Sequence, residues 1–315
     1  MLQPKVLPSF ESFSIPGKIF ILGEYAVLAG LPALVAAVGP RFKAQTRPAH
    51  GAEIEWPSGS PVSRYLKWAQ AKGDPEVLFD FLDPFEGAGG FGASTAQFAL
   101  AYQLGCRENL AGIASWYDVW RLYRELMSSE AVLPSGADLV AQWEGGVVFF
   151  DPSRLTCENF GKSFDWSHLL VFSATHQPGR KVPTHEHLRQ LSSEGFPQSR
   201  QKLVAELERL LRQGVQSVRE NDSVGLGQVM TAYALELQQA GWEVKATTED
   251  RLALSDHPCV LGVKGTGALQ SDALIVLTQK GLDRGSLLDL AKKRGLRLVC
   301  EGLSFETGVR CESRE

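Results

Sequence analysis

Residues 15–28 read Ile15-Pro16-Gly17-Lys18-Ile19-Phe20-Ile21-Leu22-Gly23-Glu24-Tyr25-Ala26-Val27-Leu28. The pattern predicts a short apolar strand bounded by the breakers Pro16-Gly17 and Gly23. Four strand residues rise about 13 Å at roughly 3.3 Å per residue, so Lys18 and Glu24 are expected where the chain turns at each end. A lysine and a glutamate at two turns favour a chemical role. The alternative is a surface lysine beside a tight turn.

The composition describes a soluble globular protein. The chain has 315 residues, of which 44% are hydrophobic and 22% are charged. This length suffices for two domains of ordinary size or one large domain. The net charge is -4 and the pI is about 5.9. Nucleic-acid-binding proteins usually carry a clustered basic excess, so we expect no nucleic-acid partner.

The cysteines and the hydropathy indicate a cytoplasmic protein. An odd number of scattered cysteines without a Cys-x-x-Cys pair predicts free thiols in a reducing compartment. These residues are Cys106, Cys157, Cys259, Cys300 and Cys311. The N-terminus lacks an apolar core of signal-peptide length, and no segment approaches the roughly 20 apolar residues of a membrane span. We therefore expect no membrane partner, and a homodimer remains open.

Strands and helices are interleaved along the chain. Short strands at a sheet edge are predicted within 13–38, and helical or mixed segments at 63–71 and 75–82. Helices are predicted at 96–104, at 111–128, after 134–136 and at 286–294, and strands at 147–150, 169–173, 260–263, 274–277 and 296–300. Two apolar stripes predict long core helices through Leu203, Leu207, Leu210, Leu211, Val215 and Val218, and through Leu226, Val229, Met230, Tyr233 and Leu237. The order predicts an α+β fold in two domains, 1–165 and 166–315.

A glycine-rich loop at 86–96 runs directly into a predicted helix. Its peptide NH groups and the positive end of the helix dipole converge, which is typical of a phosphate site. The pattern Gly87-x-Gly89-x-x-Gly92 matches a dinucleotide fingerprint, but it lacks a preceding buried strand and a later acidic residue. A P-loop is excluded because no Gly-Lys-Ser/Thr follows. A flexible turn is the structural alternative, and the hydroxyls of Ser94-Thr95, which can cap the helix and reach magnesium, favour the phosphate site.

A third element, 133–146, contains Asp138 after a glycine turn. One interpretation is a helix-capping aspartate. The other is a carboxylate aimed from a helix N-terminus at a reacting hydroxyl, with Lys18 as its charge partner.

Taken together and in this order, the three elements resemble the GHMP kinases. The first resembles the family's Pro-Gly-Lys strand followed by Gly-Glu, and 90–96 is similar to its Gly-Leu-Gly-Ser-Ser-Ala phosphate loop. Asp138 stands where the family has its catalytic aspartate. The stretch 262–272 resembles the C-terminal Lys-Pro-Ser-Gly-Ala-Gly-Gly-Gly-Asp motif of the phosphomevalonate kinase branch. The resemblance spans about 15–277.

The resemblance implies a two-domain fold with the active site in the cleft between domains, and ATP and Mg²⁺ as cofactors. It implies an ATP-dependent kinase of phosphomevalonate, with mevalonate as the rival acceptor. Further alternatives are a catalytically silent nucleotide-binding protein and a kinase of a sugar or amino-acid alcohol. The expected catalytic residues are Lys18 and Asp138. The expected nucleotide-binding residues are Gly89, Gly90, Gly92, Ala93, Ser94 and Thr95, and the expected acceptor-binding residues are Glu24, Tyr25, Ser135, Gly136, Arg180, Lys181, Lys264, Gly267 and Ala268.

Metal binding is expected to combine Ser94 with a glutamate upstream of Asp138. Glu125 is assigned here, and Glu130 also qualifies by position. A cluster of His176, His185 and His187 lacks a cysteine and the helical histidine spacing of a zinc site, which disfavours zinc.

The chain departs from the family pattern at two places. Ala93 replaces the first serine of the phosphate loop. Leu269, Gln270 and Ser271 replace three glycines, so we expect the C-terminal loop to approach a ligand less closely than in the family.

Overall fold

The computed structural model describes residues 12–47, 55–74, 76–106, 113–174, 182, 184–303 and 306–312. The strands are β1 (Ser12–Leu22), β2 (Ala33–Thr46), β3 (Phe79–Leu82), β4 (Val147–Asp151), β5 (Thr156–Asn159), β6 (Leu169–Ser173), β7 (Val260–Thr266), β8 (Ala273–Thr278), β9 (Arg297–Glu301) and β10 (Arg310–Cys311). The helices are α1 (Pro61–Lys72), α2 (Ala93–Gly105), α3 (Trp116–Leu126), α4 (Ala137–Glu144), α5 (Thr184–Ser193), α6 (Gln201–Arg219), α7 (Ser223–Gln239), α8 (Lys245–Ser255) and α9 (Gly285–Lys293). The predicted α+β class is confirmed.

The first sheet is built on the long β1–β2 hairpin. Its order is β10-β1-β2-β4-β5, with β3 also paired to β2, and every pair is antiparallel. The prediction that Pro16-Gly17 ends the strand is wrong, because β1 continues through both residues with a register shift between them. Such an irregularity accommodates a proline, which has no NH to donate, without ending the strand. Lys18 therefore lies within β1 rather than at a turn.

Helix α2 places the glycine loop on this sheet. It contacts β1, β2, α1 and α4. Its side chains Phe98, Leu100 and Leu104 are fully buried, as are three of its alanines. Because the helix is packed on several sides, its N-terminus and the loop that precedes it have a fixed position against β1.

The second sheet has the order β7-β8-β6-β9, and all of its pairs are antiparallel. Every residue of β8 is buried. Helix α7 lies close on β7, since a methyl group added at Gly262 would lie 2.1 Å from the Gly227 carbonyl oxygen. The two predicted apolar stripes lie on α6 and α7 and face the hydrophobic core, although Leu203 is only half-buried.

The C-terminal segment 306–312 returns to the first sheet. Strand β10 pairs with β1, with Ser14 opposite Arg310. The Arg41 guanidinium donates to the carbonyl oxygens of Thr307 at 2.7 Å and Gly308 at 2.6 Å. The division into 1–165 and 166–315 stays a prediction, and this segment of the second part lies on the first sheet.

Helices α5 and α8 and strand β3 were not predicted. The buried face of α8 consists of Thr247, Asp250, Arg251 and Leu254, so it carries almost no apolar periodicity. Strand β3 lies within the segment 75–82, which was interpreted as helical or mixed, and only Phe79 of its four residues is buried. Hydropathy patterns do not detect elements whose buried face is polar or very short.

All five cysteines carry free thiols, as predicted. In the part of the chain that the structure describes, no helix has the length and hydrophobicity needed to cross a membrane.

Candidate active site

Backbone contacts join Lys18 to the glycine loop. The Lys18 NH donates to the Phe91 carbonyl oxygen at 3.0 Å. The rings of Phe85 and Phe91 stack with centroids 4.4 Å apart, and a methyl group added at Gly17 would lie 2.6 Å from Phe85 Cζ. A glycine before Lys18 therefore lets the loop lie directly on β1.

The Lys18 ammonium has no acidic partner among the described residues. The side chain is only 8% exposed, and its Nζ lies 5.0 Å from the Phe20 ring centroid. The predicted charge pairing with Asp138 is therefore not a direct ion pair here. A buried ammonium without a carboxylate partner favours the binding of an anionic ligand.

The loop presents unused peptide donors at the start of α2. Asp83 accepts the NH groups of Phe85 at 2.9 Å and Gly87 at 3.0 Å, which fixes the first half of the loop. Within the described residues, no hydrogen bond is donated by the NH groups of 89–95. These donors and the helix dipole suit an anion, and the phosphate site itself stays a prediction of the sequence.

The predicted cap by the Ser94-Thr95 pair is wrong. The N-cap is Gly92, which has a φ of 83° and makes no side-chain cap bond. Thr95 is buried, and its hydroxyl donates to Gln142 Oε1 at 2.6 Å. Ser94 is exposed beside the unused NH groups, so it is the hydroxyl of the pair that a phosphate or a metal ion can reach.

Asp138 is the second residue of α4, and Gly136 is the N-cap. Gly136 has a φ of 74°, and a methyl group there would lie 2.7 Å from Trp120 Cδ1. Trp120 Nε1 donates to the Ser135 carbonyl oxygen at 2.8 Å. Only glycine satisfies both the left-handed backbone and this close approach, so the turn that carries Asp138 is pressed onto α3. Asp138 therefore does not occupy the cap position that its structural interpretation required.

Asp138 is half-buried and lies near Tyr123. Burial, and after it the charge of Asp138, raises the pKa of the Tyr123 phenol well above its usual value. The carboxylate accepts the NH of Leu139 at 3.0 Å. Its other oxygen lies at the positive end of the α4 dipole and is not used by this bond.

Gln142 is a site residue that sequence reasoning missed. It lies four residues after Asp138 on the same side of α4, about 6 Å along the axis. Its side chain is fully buried and donates to the Pro16 carbonyl oxygen at 2.8 Å and to that of Gly92 at 3.2 Å. One signal was present in the sequence, since Gln142 is a lone amide between Leu139-Val140-Ala141 and Trp143.

Glu24 and Lys264 form a buried ion pair across 240 residues of sequence. The Lys264 ammonium also donates to the Gly265 carbonyl oxygen at 2.7 Å. Burial lowers the pKa of Lys264, and the charge of Glu24 opposes that change. Glu24 Oε2 is buried and has no hydrogen-bond partner among the described residues. Both residues were predicted to bind the acceptor, and in this structure their charges are used by one another.

Tyr25 joins the first motif to the C-terminal loop. Its phenol oxygen accepts the Leu269 NH at 3.0 Å and lies 3.1 Å from His187 Nε2. Its ring packs on Trp242 at a centroid distance of 4.5 Å. Tyr25 has a φ of 63°, which non-glycine residues rarely adopt. These contacts hold the strained residue in place.

The loop 266–272 keeps a glycine-like backbone although glycines are replaced. Leu269 has a φ of 48° and Gln270 a φ of 57°. The loop meets the phosphate loop directly, because a methyl group added at Gly89 would lie 2.4 Å from Asp272 Oδ1. One added at Gly267 would lie 2.1 Å from Oδ2. The replaced glycines therefore do not keep this loop away from the phosphate loop. Whether the loop approaches a ligand less closely stays a prediction.

The two candidate glutamates lie away from this centre. Trp120 and Tyr123 face the turn before α4, whereas Glu125 is exposed on another side of α3, about 140° round the helix from Trp120 and about 160° from Tyr123. Glu130 pairs with Arg64. Of the other candidates, Ser135, Gly136 and Ala268 are buried at the two loops, and Arg180, Lys181 and His176 lie outside the described residues. No cluster of potential metal-ligating side chains occurs in the part of the chain described.

Comparison with known proteins identifies the fold. No family model and no curated protein matches the sequence. A Lin0012 protein from Listeria innocua superimposes with a TM-score of 0.77 at 17% identity, covering 97% of this chain and 100% of the other. The phosphomevalonate kinase of Streptococcus pneumoniae gives 0.74 at 14% identity, with 93% and 99% covered. The mevalonate kinase of Methanococcus jannaschii gives 0.73 at 12%, with 95% and 100% covered.

The chain has the GHMP kinase fold. The match extends over both sheets, as the resemblance of the motifs implied. At these identities the comparison carries the fold alone, and any activity must be argued from the residues of this chain.

In this GHMP kinase fold, the region around the glycine loop suits a nucleotide phosphate. It combines the NH groups of 89–95 and the Lys18 ammonium, which have no hydrogen-bond acceptor and no carboxylate partner, respectively, among the described residues, with the exposed Ser94 hydroxyl. Ser94 also fits the role of a magnesium ligand, because magnesium in such sites takes few protein oxygens beside phosphate and water. Glu125 does not fit that role while α3 turns it away.

Proposed function

We propose that this protein is an ATP-dependent kinase that transfers the terminal phosphoryl group of ATP to a small-molecule acceptor. One observation carries the proposal. Gln142 connects three groups, which are a lysine without a described carboxylate partner, peptide donors at one helix N-terminus that no described residue accepts, and a carboxylate at another helix N-terminus. Phosphoryl transfer requires positioning and charge compensation more than covalent participation by the protein, and this set supplies both.

Each group has one role in the proposed reaction. The NH groups of 89–95 bind the ATP phosphates, and Lys18 neutralises charge between the terminal phosphate and the acceptor. Magnesium, held with the help of Ser94, would neutralise phosphate charge when bound. Asp138 orients the acceptor and takes its proton if the acceptor is an alcohol, as the new O–P bond forms and the bond to the β-phosphate oxygen breaks.

Phosphomevalonate is the proposed acceptor. The motif around Glu24 and Tyr25, the turn Gly136-Ala137-Asp138, and the pair Lys264 and Asp272 resemble that branch most. A phosphate monoester is already ionised near neutral pH, so it requires cations more than a strong base. Lys18 supplies one, and Arg180 and Lys181 are proposed to supply the others. Mevalonate is the rival, because it requires a base such as Asp138 but no second phosphate clamp.

The direct experiment measures ADP release with ATP and Mg²⁺. Phosphomevalonate, mevalonate, galactose, homoserine and no acceptor are compared under one set of conditions. Acceptor-dependent release supports the kinase, and the preferred acceptor identifies the branch. Loss of phosphomevalonate preference in Arg180→Gln/Lys181→Gln, with ATP affinity retained, would assign these residues to the second phosphate.

A catalytically silent nucleotide-binding protein is the second candidate. It is favoured by one observation, which is that neither Glu125 nor Glu130 faces the loop. It predicts that ATP raises the melting temperature while no acceptor in the panel stimulates ADP release. Acceptor-dependent turnover abolished by Lys18→Met would reject it.

A further inference from the structure

Gln142 connects three segments that are far apart in sequence. Its amide nitrogen reaches Pro16 on β1, 126 residues away, and Gly92 at the start of α2. Its amide oxygen accepts the hydroxyl of Thr95, also on α2. The side chain itself belongs to α4, the helix that carries Asp138. One amide on α4, the helix that carries Asp138, therefore bonds both to β1, which carries Lys18, and to the phosphate loop.

The packing around Gly92 makes this connection tight. A methyl group added at Gly92 would lie 3.0 Å from Gln142 Nε2 and 3.0 Å from Lys18 Cγ. The lysine stem, the loop backbone and the amide are thus in mutual contact at the point where α2 begins. A shift of the amide would be transmitted to both the loop donors and the lysine, because close-packed interiors do not absorb it locally.

The burial of Gln142 makes its partners dependent on it. The side chain has no exposed surface, so water cannot replace a lost bond. Removing the amide would leave the oxygens of Pro16 and Gly92 and the Thr95 hydroxyl with fewer partners inside the protein. The local structure would have to rearrange to satisfy them.

We infer that Gln142 is a positioning residue that aligns Lys18, the phosphate loop and Asp138 for phosphoryl transfer. The inference rests on the proposed function. The amide touches no reacting group, and it acts through the segments that it bonds. A one-ångström displacement of catalytic groups can cost about a hundredfold in rate, so the role should be visible in kinetics.

The test compares Gln142→Met with Ser14→Ala. Methionine keeps the length of the side chain but removes all three hydrogen bonds. Ser14 on β1 is the control, because it is also fully buried, and its hydroxyl accepts Arg41 Nε at 2.8 Å and bonds to Glu312, away from the loop. Hydrogen exchange, affinity for the ATP analogue AMPPNP, thermal unfolding and turnover are measured for both variants.

For Gln142→Met we expect exchange at 89–96 to rise by at least about tenfold while the rest of β1 and α2 keeps its protection. AMPPNP affinity should fall about threefold to tenfold, and kcat about tenfold to a hundredfold, as for misaligned catalytic groups. Ser14→Ala should alter none of these beyond a common change in melting temperature. Exchange that rises equally across the sheet in both variants, with unchanged AMPPNP affinity, would show a purely structural role and overturn the inference.

Thr95→Val provides a second variant if Gln142→Met does not fold. It removes the bond to the amide oxygen of Gln142 and the contact of the Thr95 hydroxyl with the Gly92 carbonyl oxygen at 3.0 Å, and it keeps the shape of the side chain. A local rise in exchange at 89–96, smaller than for Gln142→Met, supports the inference, and unchanged exchange there contradicts it. Exchange and AMPPNP binding need no acceptor, so failure of the positioning role can be distinguished from failure of the kinase proposal.

Discussion

Two charged residues six positions apart in the first motif have opposite surroundings. Lys18 has no acidic partner among the described residues and lies beside unused peptide donors. Glu24 is paired with Lys264, and the adjacent Tyr25 is bonded to the C-terminal loop. The charge of Glu24 is therefore used to join the two sheets, whereas no described carboxylate uses the charge of Lys18. Motif residues that look equivalent in sequence can differ in whether their charge is already used by the protein.

Breaking the Glu24–Lys264 pair should have the largest effect on stability. Lys264→Met leaves a buried carboxylate without its partner, which should lower the free energy of unfolding by about 3–5 kcal/mol. Chemical denaturation measures this. The fall in kcat of the folded protein should be much smaller than for a change at Lys18. If Lys264 binds the acceptor instead, the acceptor KM rises sharply with little loss of stability.

The pair Arg251 and Glu243 is the control for that experiment. It is equally buried but lies within the C-terminal half, with Nε and Oε1 3.0 Å apart. Glu243→Gln should cost a similar amount of stability and leave nucleotide affinity unchanged.

Removing the Lys18 ammonium should produce the reverse result. Lys18→Met removes charge compensation from the proposed transition state, so kcat should fall by about a hundredfold to a thousandfold. The free energy of unfolding should not decrease, because no ion pair with a described residue is lost. Turnover and denaturation are measured on the same preparation. A loss of stability with normal turnover would reverse the assignments of the two ends.

Asp138→Asn should give a smaller kinetic effect. The amide keeps the shape of the carboxylate but loses its charge and basicity, so kcat should fall at least about tenfold to a hundredfold. AMPPNP affinity should be retained. Asp118→Asn, on the exposed start of α3, is the control and should leave kcat unchanged. Near wild-type turnover in Asp138→Asn would remove Asp138 from the site.

The smallest expected effect is a pH dependence at the Tyr25 end. Burial lowers the pKa of His187, while the charge of Glu194 opposes the change, and its Nε2 lies near the Tyr25 hydroxyl. The unfolded chain therefore binds the proton more readily, so stability decreases as pH falls from about 6.5, the unfolded value, to the lower folded value. His187→Gln should flatten this part of the stability profile. An unchanged slope would exclude His187 as its source.

Local features of the chain were predictable where one segment carries the signal. The glycine loop leading into α2 and the apolar stripes of α6 and α7 are examples, because their patterns follow the period of the helix. The resemblance of the ordered motifs also led to the GHMP kinase fold. The predicted strand boundary at Pro16-Gly17 is wrong, because an irregular pairing with β2 accommodates residues that usually break strands.

Long-range pairings were not predictable from single segments. Gln142 bonds to a carbonyl 126 residues earlier, and Glu24 pairs with a lysine 240 residues later. The sequence contains both members of each pair but no information about their distance. The buried face of α8 is also mostly polar, so its sequence shows no helical repeat of apolar residues. Which charges remain available is decided by tertiary structure.

We propose that Lys18, the phosphate loop and Asp138 together transfer a phosphoryl group to a small molecule. The most direct test is ³¹P NMR of the reaction mixture with ATP, Mg²⁺ and each acceptor of the panel, for the wild-type protein and Lys18→Met. We expect a new phosphorylated product, formed together with ADP by the wild type and greatly reduced in Lys18→Met. Product formed equally by both proteins, or ATP binding without any product, would contradict it.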